Sequence, residues 1–203
     1  SIDITYFEFD QIRSDIKEKF HSEIVMDYRC LYQAVKYAEV RPKKPCFCET
    51  DAWLSSGYYF WDTIVDNAHW WGKVHYSGNY MIGKTACDKH SKELYDLVGD
   101  LEERKKFFQI RDKLIEKTGK ELLVSEVIGF LRKCTMFENE YKAVRAYPCK
   151  SKKEYNSITM RFSPNNKAYM PLSEPYQICV FDLAFLEKPF EIIYSRRLRW
   201  TLR

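Results

Sequence analysis

Apolar and polar positions along the chain alternate between a period near two and a period near three and a half, and the changes of period mark out the elements. Alternation at Ile4 to Phe9 predicts a first strand, and Asp10 stands where a cap opens a helix running to Phe20. Glu23 to Cys30 reads as a strand and Leu31 to Ala38 as a short helix behind it. Pro42 and Pro45 in Arg41-Pro42-Lys43-Lys44-Pro45 end that helix, because proline lacks a backbone donor and restricts the residue before it. Gly57 to Trp61 predicts another strand, with a helix from Asp62 to about Lys73. A strand at Tyr80 to Ala86 and a helix at Lys89 to Val98 follow.

From Leu101 to Lys117 the apolar positions Leu101, Phe107, Phe108, Ile110, Leu114 and Ile115 follow a helical period, and Leu122 to Cys134 repeats it after Gly119. The last third is β-rich, with strands expected at Tyr141 to Tyr147, Ser157 to Phe162, Tyr176 to Phe181 and Phe190 to Tyr194. Strands early, a helical stretch and then strands again predict an α+β fold, with two sheets assembled from non-adjacent pieces. No repeat, low-complexity tract or Gly/Ser linker interrupts the pattern, so residues 1–203 are read as one domain.

Composition narrows the function classes modestly. The 203 residues are 45% hydrophobic and 31% charged, which is enough apolar material for a real core. A net charge of +4, from 33 basic and 29 acidic residues, carries no nucleic-acid signature. Local runs at Lys150, Lys152 and Lys153, and at Arg196, Arg197, Arg199 and Arg203, can still meet an acidic or phosphate-bearing partner. No apolar run is long enough for a bilayer, and Ser1-Ile2-Asp3 does not read as a signal peptide, so a soluble cytoplasmic protein with no membrane partner is expected. Seven unevenly spaced cysteines read as free thiols.

Cys46-Phe47-Cys48 and Cys87-Asp88-Lys89-His90 offer metal-ligand types at poor spacing, because alternate residues of a strand point to opposite faces; no metal is expected. No P-loop, His-Glu-x-x-His or Gly-x-Gly-x-x-Gly occurs. The strongest chemical signal is aromatic. Seven of the fifteen residues in Trp53 to Asp62 and Asn67 to Trp71 are aromatic, against a chain average of 16%. Such a cluster either packs a core or stacks a flat ring. Gly57 would let backbone approach a ligand, and a helix folding back over the strand would bring Tyr59 and Trp70 together as a slot.

Three segments in order give this signal a context. Tyr28-Arg29-Cys30 ends a strand, Gly57-Tyr58-Tyr59-Phe60 is followed by Ala68-His69-Trp70 with Trp70 eleven residues after Tyr59, and Gln177-Ile178-Cys179-Val180-Phe181-Asp182 closes the chain. This order resembles the ADP-ribosyltransferase superfamily, in particular its diphtheria-toxin and poly(ADP-ribose) polymerase-like branch. Members carry a Tyr-His-Gly-like or aromatic-Arg motif, a Gly-Ile-Tyr-Phe-like strand with a second aromatic eleven residues on, and a Glu-Tyr-Ile-Val-Tyr-Asp-like strand.

The resemblance implies a split two-sheet, mixed and antiparallel ADP-ribosyltransferase-like core in which Leu101 to Cys134 is a helical insertion. It implies NAD as substrate, with Arg29 and Cys30 at a phosphate or ribose edge, Tyr59 and Trp70 around nicotinamide, and Asn67 on its carboxamide. Ser55 and Ser56 are similar to a Ser-Thr-Ser stretch of the arginine-type branch. Gln177 stands in the catalytic glutamate position and Glu174 lies three residues upstream, so Arg29, Glu174 and Gln177 are the expected catalytic set. The implied activity is mono-ADP-ribosyl transfer to RNA, DNA or protein, in the setting of a bacterial toxin or antiphage effector with an antitoxin or inhibitor protein as partner. A different class also fits the residues, a non-catalytic nucleic-acid-binding module stacking bases on Tyr58, Trp61, Trp70 or Trp71.

Overall fold

A computed structural model describes residues 11, 13–14, 27–49, 52–147, 159–161, 169–171 and 174–197. The strand expected at 4–9, nearly all of the helix at 10–20, the lysines at 150–153, and Arg199 and Arg203 lie outside them.

The described strands are β1 (Tyr28–Lys36), β2 (Phe47–Cys48), β3 (Gly57–Asp62), β4 (Tyr80–Asp88), β5 (Leu94–Asp96), β6 (Ala143–Ala146), β7 (Thr159–Arg161), β8 (Tyr169–Pro171), β9 (Gln177–Val180) and β10 (Glu191–Arg196). The helices are α1 (Val65–His75), α2 (Leu101–Thr118), α3 (Val124–Cys134) and the short α4 (Phe137–Glu140). The α+β expectation holds. Eight strands form one open sheet in the order β10-β4-β1-β3-β9-β6-β5, with β2 beside β3, and β7 and β8 form a separate ribbon. All pairings in the large sheet are antiparallel except β5 with β6.

Where two sheets were expected, hydrogen bonding runs unbroken across one. Its two halves meet on a narrow seam. β1 pairs with β4 over nine residues but with β3 only through Leu31↔Asp62 and Tyr32↔Trp61. Beyond those pairs the Gln33 side chain spans the gap, donating to the carbonyls of Cys46 (2.9 Å) and Tyr59 (3.1 Å) and accepting from the Cys46 N–H (2.7 Å).

Alternation along the strands separates two packed faces. On one face Ala34, Trp61, Tyr80 and Ile82 pack with Ala68 of α1, while Val144, Cys179 and Tyr95 pack with Phe107 of α2 and Val127, Ile128 and Leu131 of α3. On the other face Leu31, Phe60, Ile178 and Val180 meet Phe185 and Phe190, brought over by the segment between β9 and β10. Burying each of these larger side chains is worth about 1.5–3 kcal/mol, so each face has its own driving force. The α2–α3 pair, read from the sequence as an insertion, runs between the parallel strands β5 and β6, and a parallel pair requires such a crossover.

Two predicted helices are strands. Leu31 to Lys36 belongs to β1, flanked by β4 and β3; its near-continuous apolar run reflects burial on both faces rather than a helical stripe. Within Lys89 to Val98, Leu94-Tyr95-Asp96 pairs with Ala143-Val144-Arg145, a partner almost fifty residues away that no local pattern announces. Asp62 ends β3 instead of opening a helix. Thr63 follows with φ 61°, and α1 starts at Val65.

Candidate functional site

β1, β3 and β9, the strands that carry the three motif segments, are consecutive in the sheet. On the α1 side they contribute to one cavity of about 610 Å³. Its wall takes Gln33 and Ala34 from β1, Tyr59 and Trp61 from β3, and Gln177 from β9. Trp71, His75 and Tyr76 come from the C-terminal end of α1, and Cys46 to Glu49 and Trp53 from the segments before β3. Aromatic walls with a few polar groups in this size range suit a flat organic ligand.

Tyr59 is a fixed wall. Its hydroxyl accepts from the Leu54 N–H (2.8 Å) and donates to the Ser55 carbonyl (2.7 Å), and burial pushes its phenol well above the ordinary 10.0. Gln177 lies directly across the strand pair from Trp61. The residue is 6% exposed, and its Oε1 has no hydrogen-bond partner among the described residues. A buried acceptor left unpaired costs about 1–3 kcal/mol, which a bound donor would recover. Trp71 stacks on His75 at 3.9 Å between centroids and lies 6.0 Å from Trp61. Burial also raises the Tyr76 phenol, so both tyrosines present neutral hydroxyls at neutral pH.

The other residues expected at the site are placed elsewhere. Trp70 meets Trp61 edge-on at 6.3 Å within the Ala34–Tyr80 cluster, whereas Tyr59 packs against the cluster under α2 and α3. The ring that α1 contributes to the cavity is Trp71, one residue on. Arg29 shares a face of β1 with Leu31 and points to the side opposite Tyr59 and Trp61, where it pairs with Asp62 at 2.9 Å. Asp62, 3% exposed, also holds Arg145 at 2.7 Å, and Arg145 reaches Asp96 at 3.1 Å and lies over the Tyr176 ring. Cys30, Arg29's neighbour in β1, pairs with Ala86 of β4 and is not in the cavity wall.

Asn67 is buried and donates to the Glu174 carbonyl at 3.2 Å, so both residues brace the approach to β9. Ser55 and Ser56 line a second cavity, of about 540 Å³, where Arg132 of α3 donates to the Ser55 hydroxyl and the Ser56 carbonyl. Gly57 serves the sheet and not a ligand, since a Cβ there would lie 2.5 Å from the Cys179 sulfur and 2.8 Å from the Val180 carbonyl oxygen.

Gln33 was not singled out in the sequence. The signal existed: Tyr32-Gln33-Ala34, an aromatic, a polar and a small residue, follows the same pattern as Tyr28-Arg29-Cys30 four residues further along the same strand. Assigning Leu31 onward to a helix hid it.

No protein family, curated protein or solved structure matches this chain. Among the described residues, no three His, Cys, Asp or Glu side chains gather as a metal site, and no helix is long and apolar enough to cross a membrane. Cys87 and Cys179 are buried, and burial pushes each thiol up to about 12, which removes them as thiolate nucleophiles.

Proposed function

We propose that this chain is an NAD-dependent mono-ADP-ribosyltransferase whose substrate occupies the cavity between β3, β9 and α1. The observation that carries the reading is the meeting of Gln33, Tyr59, Trp61, Trp71 and Gln177 in one cavity walled by three adjacent strands. Three motif segments far apart in the chain can build one site only if their strands neighbour one another. The resemblance supplies the family, and Tyr32-Gln33-Ala34 meets its first motif in place of Tyr28-Arg29-Cys30.

In this reading nicotinamide lies against Tyr59 and the tryptophans, and the Gln177 oxygen accepts a hydrogen bond from a ribose hydroxyl or the carboxamide. The bond from ribose C1′ to nicotinamide breaks with charge developing on the sugar, and ADP-ribose passes to a nucleic acid or protein. A toxin or effector role, with an inhibitor protein to restrain it, follows from the resemblance. The nucleic-acid-binding alternative requires exposed rings; Trp61 is 5% exposed, and Tyr58, Trp70 and Trp71 are half-buried, the two tryptophans packed against Trp61.

Incubation with NAD labelled in its adenylate part, together with cell extract, tests the proposal when portions are digested with protease or nuclease. Label on a macromolecule with release of nicotinamide is expected. Absence of NAD binding, or binding only to nucleic acid with a steep salt dependence, would refute it.

A further inference from the structure

A sugar that becomes positively charged needs a nearby anion, and Gln177 is neutral. Glu49 is the one carboxylate among the described residues that line the 610 Å³ cavity. It follows β2, is exposed at the surface, and forms no salt bridge among the described residues. The Gln33 amide is committed to the backbone of Cys46 and Tyr59, so it ties the segment leading to Glu49 against the Tyr59 strand. The Asp62 carboxylate is bound to two arginines on the opposite face of the sheet.

We propose that Glu49 is the catalytic carboxylate of this cavity, working with Gln177 as a neutral hydrogen-bond acceptor that holds the substrate. The assignment rests on the NAD reading above. The C1′–nitrogen bond breaks with its electron pair leaving on nicotinamide, and positive charge spreads over C1′ and the ring oxygen. Glu49 stabilises that charge in the transition state. A hydroxyl, an amine or water then bonds to C1′ and gives its proton to Glu49, which passes it to solvent. Division of the work between two strand-linked segments would let a site with glutamine on β9 turn over NAD.

The test separates binding from chemistry. NAD binding is read from quenching of the cavity tryptophans, and turnover from nicotinamide release into water or onto extract. Glu49→Gln should lower kcat roughly 100-fold or more, as removal of one charge-stabilising group does elsewhere, while leaving Kd within about 3-fold of the parent. Glu49→Asp should recover part of the rate, and Gln177→Leu should raise Kd. Because Glu49 is exposed, these Glu49 variants should unfold at the parent's midpoint. A Glu49→Gln protein that binds NAD and releases nicotinamide at the parent rate overturns the role of Glu49 and leaves the NAD reading standing. A parent protein that binds no NAD overturns both.

Discussion

Gln33 makes three hydrogen bonds to backbone groups of two other segments, and no other described side chain bridges the seam between β1 and β3 in that way. Gln33→Leu has similar bulk but removes the partner of the Cys46 N–H and of two carbonyls at a residue that is 6% exposed. The expected loss is roughly 2–4 kcal/mol in denaturant unfolding, with weaker NAD binding because the cavity wall is no longer anchored. His69 offers a pH readout. Burial beside Tyr80 and Tyr194 holds its imidazole below the ordinary 6.5, an effect that Asp66 opposes and Lys73 reinforces. A depressed folded value means that His69 contributes stability above 6.5 which is lost as pH falls through the folded value. The melting temperature should therefore fall between about pH 7 and about pH 5, and His69→Gln should flatten that slope. An unchanged slope would assign the dependence to other groups.

Among the elements, those with strong local chemistry were legible and those defined by distant partners were not. α2 could be read from its apolar period and its boundaries, since Asp100 caps the N–H groups of Glu102 and Glu103 and Gly119 closes the helix at φ 66°. β3, β4, β9 and β10 were found within a few residues of their observed ends because half-buried or fully buried strands advertise themselves by β-branched and aromatic residues. β5 could not be read, because Leu94-Tyr95-Asp96 is a strand only by virtue of Ala143 to Arg145. The same limit moved the site. Tyr59 and Gln177 lie on strands that the sequence showed, but Tyr28-Arg29-Cys30 was read as the end of its strand and Tyr32-Gln33-Ala34 fell in an expected helix, because sequence does not say how far β1 continues.

For the molecule as a whole, the group with the widest reach is Asp62. It lies on β3, pairs with Arg29 of β1 and Arg145 of β6, and through Arg145 is linked to Asp96 of β5, so one buried network joins both halves of the sheet. Removing one member of a buried pair strands the others. Asp62→Asn should cost about 3–5 kcal/mol in chemical denaturation. A change below about 1 kcal/mol would mean that the arginines find other partners or water. Arg29 thereby gains a role in stability, where the sequence pointed to phosphate.

Local periodicity was enough to establish a mixed α+β chain, the aromatic strand with its following helix, and the helical pair separated at Gly119, since those features depend on residues within a turn or two of one another. The lining of the cavity depends on strand register and on the face each side chain takes. Register between β1 and β3 rests on contacts some thirty residues apart, and between β3 and β9 on contacts more than a hundred apart. A shift of one residue exchanges the two faces. Arg29, Leu31 and Gln33 share one face of β1, and Gln33 reaches the Tyr59 backbone only because β1 and β3 stop pairing after Tyr32, whereas Arg29 turns to Asp62.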